Sequence, residues 1–309
     1  MKMKNKKTIA CLLGLSVVGL MLSCGPSAET AKRLSAKERM RQDSLTRMAL
    51  KVGVMPTLDC LPLYLAYDDS LFVKQGVDVR LRQFTAQMDC DTALAHGSVE
   101  GSVSDLIRCA HLQQKGVGLT YPIATNAYWQ LITNRKARIS SLKQLSDKMI
   151  AMTRYSATDY LADLAVDSGK PKYDVYRVQI NDVNIRLKML LNNEMDAMLL
   201  TEPQAAKARQ EQHVVLMDSR DKNLHLGVFA FSQKPMQEPR RRDQLKRFLQ
   251  AYNIAVDSIN ARGVKHYTKL LTKYCHVDAN TVASINNIKF THAMEPRRID
   301  LETARRVAK

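Results

Sequence analysis

From residue 50 the chain alternates short apolar runs with longer stretches of helical period. Leu50-Lys51-Val52-Gly53-Val54-Met55, stopped by Pro56, predicts a strand. Leu61 to Lys74 carries Leu61, Leu65, Leu71 and Phe72 at helical spacing, and Gly76 ends it as a C-cap. Over Val77 to Phe84, apolar Val77, Val79 and Leu81 alternate with Asp78, Arg80 and Arg82, the period of a half-buried strand. The polar loop Thr85-Ala86-Gln87 leads into a helix through Leu94 that ends near Gly97. A strand over Val99 to Leu106, a helix over Ile107 to Gln114 stopped by Gly116, and a strand over Val117 to Thr125 follow.

The rhythm then repeats. Strands are predicted over Trp129 to Asn134, Met149 to Thr153, Val175 to Ile180, Met195 to Leu200, His213 to Met217 and Leu224 to Phe231. Between them, Ser141 opens a short helix, Thr158 to Ser168 forms a helix with Gly169 as C-cap, Asp182 caps a helix through Leu191, and Glu202 to Glu211 forms another. From Glu238 onward the pattern is helical only. Such alternation predicts an α/β fold of mixed sheets flanked by helices. Two successive sets predict two lobes with chain crossings near Thr125–Tyr128 and Asp218–His225.

The 309 residues carry a net charge of +17, which raises the question of nucleic acid. Its distribution argues otherwise. Residues 49–238 are nearly neutral at +1, whereas 239–309 carry +9 and 24–48 carry +3. The basic C-terminal stretch, including Arg240-Arg241-Arg242, reads as a solvated helix face, and no interleaved aromatics accompany it to stack bases. The remaining four charges, Lys2, Lys4, Lys6 and Lys7, precede an apolar run from Thr8 to Leu22, the layout of an export signal over 1–23. Residues 25–48 open with Gly25-Pro26-Ser27 and continue polar and aromatic-free, a partly helical tether.

Outside the signal, Cys60, Cys90, Cys109 and Cys275 remain besides Cys24, and spacing does not choose among their three pairings or the reduced state. No ligand pair of zinc-like spacing, nucleophile elbow, P-loop or dinucleotide fingerprint is present. No metal, cofactor or catalytic residue is therefore assigned.

Two resemblances sharpen this picture. Leu20-Met21-Leu22-Ser23-Cys24-Gly25 resembles the lipobox of bacterial lipoproteins, which implies cleavage before Cys24 and a lipid anchor on its sulfur. Leu50 to Ala66 resembles the opening of solute-binding proteins of ABC importers, in the branch that takes sulfonates, nitrate, bicarbonate or thiamine precursors. Leu71-Phe72-Val73-Lys74-Gln75-Gly76-Val77-Asp78-Val79, Ala93 to Gly101 with Glu100 as its acid, Ser141 to Met152, and Met195-Asp196-Ala197 through Thr201-Glu202-Pro203 resemble further segments of the same group, in order. The resemblance covers roughly residues 50–290. It implies the type II periplasmic binding protein fold, with a ligand cleft between two lobes. One lobe would use 49–126 plus 226–309 and the other 127–225, behind the lipidated tether of 24–48. Fungal pyrimidine-synthesising relatives of this fold carry a Cys cluster that has no counterpart here.

Ligands of open α/β sheets bind beyond the carboxyl ends of strands, where helix N-termini suit anions. Thr57, Leu58, Asp59, Thr85, Gln87, Asp105, Thr153, Ser156, Thr158 and Glu202 meet that description, and Trp129 lies at a crossing. Each has a plainer reading. Asp59, Asp105, Ser156 and Thr158 could serve as helix caps, and Glu202 could answer a helix dipole. Trp129 could fill core rather than cover a flat ligand. The resemblance implies a monomeric, non-enzymatic binding lipoprotein of the bacterial cell envelope. Its partners would be a small solute, a membrane and an ABC permease with its ATPase, and it would not bind nucleic acid. The alternatives are a tethered sensor without an importer or an enzyme on the same fold.

Overall fold

The structure is a computed structural model that describes residues 28–308 except 287; the export signal and Cys24 lie outside the described residues. The chain divides into two units, Met1–Met48 and Ala49–Lys309. In the first, helix α1 spans Ala28–Met48, so the described part of the tether is helical throughout. Among the described residues, no helix is long and apolar enough to cross a membrane.

The second unit holds two five-stranded mixed sheets. The chain first lays down β1 (Leu50–Val54), α2 (Leu61–Asp68), α3 (Leu71–Lys74), β2 (Val79–Gln83), α4 (Gln87–Ala95), β3 (Gly101–Asp105), α5 (Leu106–Gln114) and β4 (Leu119–Ala124). It then crosses to the other sheet for β5 (Gln130–Thr133), β6 (Met149–Met152), α6 (Ala157–Gly169), β7 (Tyr176–Gln179), α7 (Val183–Leu191), β8 (Ala197–Leu200), α8 (Gln204–Gln210) and β9 (Val214–Asp218). It returns as β10 (Gly227–Ser232), followed by α9 (Gln233–Met236), α10 (Pro239–Arg262), α11 (Thr268–Cys275), α12 (Ala279–Ser284) and α13 (Arg298–Val307).

The sheet orders are β2-β1-β3-β10-β4 and β7-β6-β8-β5-β9. Each is parallel on one side and contains one strand, β10 or β5, antiparallel to both its neighbours. Those two strands are the ones entered directly from a crossing. Both sheets therefore repeat one plan.

Each sheet is covered on both faces, which explains why its central strands are apolar without strict alternation. One face of the first sheet packs on α2, α10 and α11 through residues such as Tyr64, Phe248 and Tyr252. Its other face packs on α4, α5 and α13 through Leu94, Leu106 and Ala304. The second sheet has equivalent apolar clusters around Leu161 and Leu190.

Two acids from the recognised segments do the same job in the two sheets. Glu100 accepts the backbone N–H of Lys51 at 2.7 Å, at the start of β1. Asp196 accepts that of Met149 at 3.0 Å, at the start of β6. Glu100 also meets Arg241 of α10 at 3.2 Å, and both are buried. Arg241 further donates to the carbonyl of Ala49 at 2.7 Å. The middle arginine of the basic triplet is thus a buried strut, while Arg240 and Arg242 are exposed.

Local structure departs from the sequence pattern in three places. The helix expected over Leu61 to Lys74 breaks at Ser70, which takes a left-handed φ of 56° and separates α2 from α3. Gly169 lies in the last turn of α6, and Lys170 adopts the left-handed cap at φ 44°. The glycine is there for contact, since a Cβ would lie 2.6 Å from the backbone of Leu142. The helix expected from Glu202 begins after Pro203 instead. Cys60, Cys90, Cys109 and Cys275 are all buried free thiols.

Candidate functional site

The carboxyl ends of β1, β3, β6 and β8 converge on a cavity of about 50 Å³ between the two sheets. The first sheet supplies Thr57 and Asp59 beyond β1, Gln87 at the start of α4, and Ser104 and Asp105 at the end of β3. The second supplies Thr153, Ser156 and Thr158 beyond β6, Thr201 beyond β8, and Arg186 from α7. Trp129, at the crossing, completes the wall.

Most of these polar groups are committed to local structure. Asp105 is the N-cap of α5, accepting the N–H groups of Ile107 and Arg108 at 3.0 Å each. Burial nevertheless pushes its carboxyl up to about 6, against the opposing pull of Arg108. Asp59 accepts the Thr125 hydroxyl at 3.2 Å, and burial raises its carboxyl too. It is not an N-cap; it sits inside a short 3-10 turn, Leu58–Cys60.

Ser156 caps α6, accepting the N–H of Thr158 at 3.0 Å, and its hydroxyl lies 2.7 Å from that of Thr158. Thr158 in turn accepts the N–H of Thr153 at 2.9 Å. Trp129 is half-buried, packs against an apolar cluster of each sheet, and still faces the cavity.

Arg186 is the exception. It is 4% exposed, and its guanidinium donates to the carbonyl of Leu199 at 2.8 Å and the hydroxyl of Thr153 at 3.3 Å. Its Nε has no partner, and no carboxylate among the described residues forms an ion pair with it. Burial lowers its pKa to about 10, so it remains charged at neutral pH. A buried cation with an idle donor on a cavity wall is costly to maintain and is relieved by an anion.

Eight of the residues proposed from sequence therefore meet here: Thr57, Asp59, Gln87, Asp105, Trp129, Thr153, Ser156 and Thr158. Three do not line the cavity. Leu58 is buried in the core of the first sheet, and its N–H donates across the seam to the Glu202 carbonyl at 2.8 Å. Thr85 is exposed, and its carbonyl receives the N–H of Val183 at 3.3 Å. Glu202 is 1% exposed and accepts from the Tyr128 hydroxyl at 2.5 Å, Arg209 at 2.6 Å and the N–H of Ala206 at 2.9 Å. Its carboxylate ties Tyr128, at the first crossing, to Arg209 of α8. Arg186, Ser104 and Thr201 join the proposed residues. Arg186 had a signal in the sequence: Val183, Arg186 and Leu190 share the buried face of α7, a position charged residues seldom take.

Two mixed sheets of one strand order, joined by two crossings and facing each other across a polar cavity, define the type II periplasmic binding protein fold. The chain belongs to the NMT1/THI5 like family, whose pattern matches residues 57–262. Among solved structures, the alkanesulfonate-binding protein SsuA from Xanthomonas axonopodis pv. citri, bound to MOPS, is similar with a TM-score of 0.69 at 18% identity, over 84% of this chain and 90% of that one. The ligand-binding component of an ABC-type import system from Staphylococcus aureus, with zinc bound, gives 0.68 at 14%, over 83% and 89%. The periplasmic nitrate-binding protein NrtA from Synechocystis PCC 6803 gives 0.66 at 15%, over 80% and 74%. No curated protein matches the chain significantly by sequence.

Proposed function

We propose that this protein is a solute-binding lipoprotein of the bacterial cell envelope. It captures a small anion between its lobes and delivers it to an ABC permease and its ATPase. The carrying observation is the buried guanidinium of Arg186, charged and incompletely partnered on the wall of the inner cavity. The structural neighbours named for alkanesulfonate and nitrate support an anion. The small volume favours a compact head group such as nitrate or a sulfonate.

Burial raises the carboxyls of Asp59 and Asp105, the latter to about 6, which lessens the negative charge they set against an anion. Trp129 offers a ring to any flat or apolar portion. Among the described residues lining the cavity, none is arranged as a nucleophile with its base, and we assign the site a binding role.

Capture would proceed by hinge closure, with residues 49–126 and 226–309 as one lobe, 127–225 as the other, and the two crossings as the hinge. Opening would break contacts between these lobes, among them Leu58 to Glu202, Val183 to Thr85, Gln204 to the Pro56 carbonyl at 2.8 Å, Arg108 to the Arg154 carbonyl at 2.9 Å, Thr281 to Gln210 at 3.1 Å and Lys207 to Asp278 at 3.5 Å. Cys24 would carry the lipid anchor.

Thermal unfolding of residues 49–309 against nitrate, bicarbonate, alkanesulfonates and thiamine-precursor pyrimidines tests this reading. A true ligand at 100-fold its Kd adds about 2.7 kcal/mol. That raises Tm by roughly 5–10 °C in a chain of this size. A flat response across the whole panel would refute the small-solute reading.

A further inference from the structure

Outside the inner cavity, α4, α5, the loop from β6 to α6 and the end of β7 enclose a second, larger cavity of about 370 Å³. That volume lies within the usual range for organic ligands, about 300–1,000 Å³, which the inner cavity does not reach. Its charge is one-sided. The single carboxylate of its lining, Asp91, is taken up by the guanidinium of Arg108. Lys115, just after α5, and Arg154, in the loop from β6 to α6, are exposed, and neither side chain has a partner among the described residues. Concave walls of low dielectric concentrate the field of such charges.

The cavity also offers an aromatic surface. The imidazole of His111 stacks on Tyr155 with ring centroids 4.5 Å apart and planes 6° from parallel. Burial, with Lys115 and Arg108 nearby, lowers the pKa of His111. Tyr155 is held at a left-handed φ of 57°, unusual for a bulky residue, by its N–H bond to Asp159 at 2.9 Å and the bond from Arg108 to the preceding carbonyl. Strained backbone of this kind persists where the surroundings fix it and concentrates at ligand clamps.

We infer that this cavity is a second binding site, for a flat organic dianion whose charge is held between Lys115 and Arg154 and whose ring lies against the His111–Tyr155 stack. The Asp91–Arg108 pair lies between it and the inner cavity; because its walls come from both proposed lobes, it is complete only in the closed form and rests on that reading.

Calorimetric titration of the full-length protein with phenyl phosphate tests the inference, alongside K115E/R154E, Y155A and R186M. All but R186M alter exposed side chains. Phenyl phosphate should bind one to one to the wild type and to R186M with similar Kd, and at least tenfold more weakly to K115E/R154E. Y155A should weaken phenyl phosphate and leave inorganic phosphate unchanged. Absence of binding to the wild type would overturn the site, as would undiminished binding to K115E/R154E. A loss confined to R186M would place the anion in the inner cavity and overturn it as well.

Discussion

Replacing Arg186 with Met removes a charge whose burial the fold does not fully compensate. The change deletes two hydrogen bonds from the charged guanidinium, to Leu199 and, at the longer distance of 3.3 Å, to Thr153, worth about 1.5 kcal/mol each at the low end for a charged donor. It also removes the desolvation penalty of a buried ion, which in proteins amounts to several kcal/mol. Methionine retains the apolar stem that Leu190 and its neighbours on α7 pack beside. The balance is a gain of about 1–3 kcal/mol. It should appear as a rise in Tm of roughly 2–10 °C for the ligand-free protein. Binding should move the opposite way, because a charge-assisted hydrogen bond to an anion is worth about 1.5–3 kcal/mol, or roughly 10- to 150-fold in Kd. Scanning calorimetry without ligand reads the first effect, and titration with whichever panel member binds reads the second. A fall in Tm of more than about 4 °C would refute the reasoning, since it would make the guanidinium a structural tie rather than a ligand-directed charge.

Other predictions concern the frame around the site. E100Q leaves Arg241 buried without its carboxylate and should cost about 3–5 kcal/mol, seen as a lower urea midpoint with unchanged slope. G101A would set a Cβ 2.5 Å from the ring of Phe231 and should destabilise by about 1–3 kcal/mol in the same assay. Asp105, pushed up to about 6, binds its proton more tightly folded than unfolded, so its contribution to stability is greatest below the unfolded pKa and is lost as pH rises through about 6. The urea midpoint should therefore fall between pH 4 and pH 7, and D105N, which can still cap α5, should flatten that fall. The four body thiols should be inert to Ellman's reagent in native 49–309 and should all react in denaturant.

The elements visible in the sequence are those set by local chemistry. The alternation from Val77 to Leu81, the Asp182 and Ser156 caps and the glycines at φ 71–87° after α4 and α5 each act over a few residues. The strand-end loops lead to the cavity for the same reason, because topology alone puts them there. What stayed hidden depends on distant partners. Arg186 shares a stripe with Val183 and Leu190, but only the placement of α7 shows that it reaches the cavity, and Arg241 looks solvated until Glu100 arrives from another segment. Glu202 sits in a strand-end loop, as a ligand-binding residue would, yet its carboxylate is spent on Tyr128 and Arg209. Nothing within its own segment announces those partners.

The emission of Trp129, the only tryptophan in the chain and a wall of the inner cavity, reports on the central claim most directly. Titrating residues 49–309 with the panel of small anions should give a saturable, one-to-one change for at least one of them, weakened at least tenfold in R186M. A saturable change that persists undiminished in R186M, or none from any anion, would contradict the account.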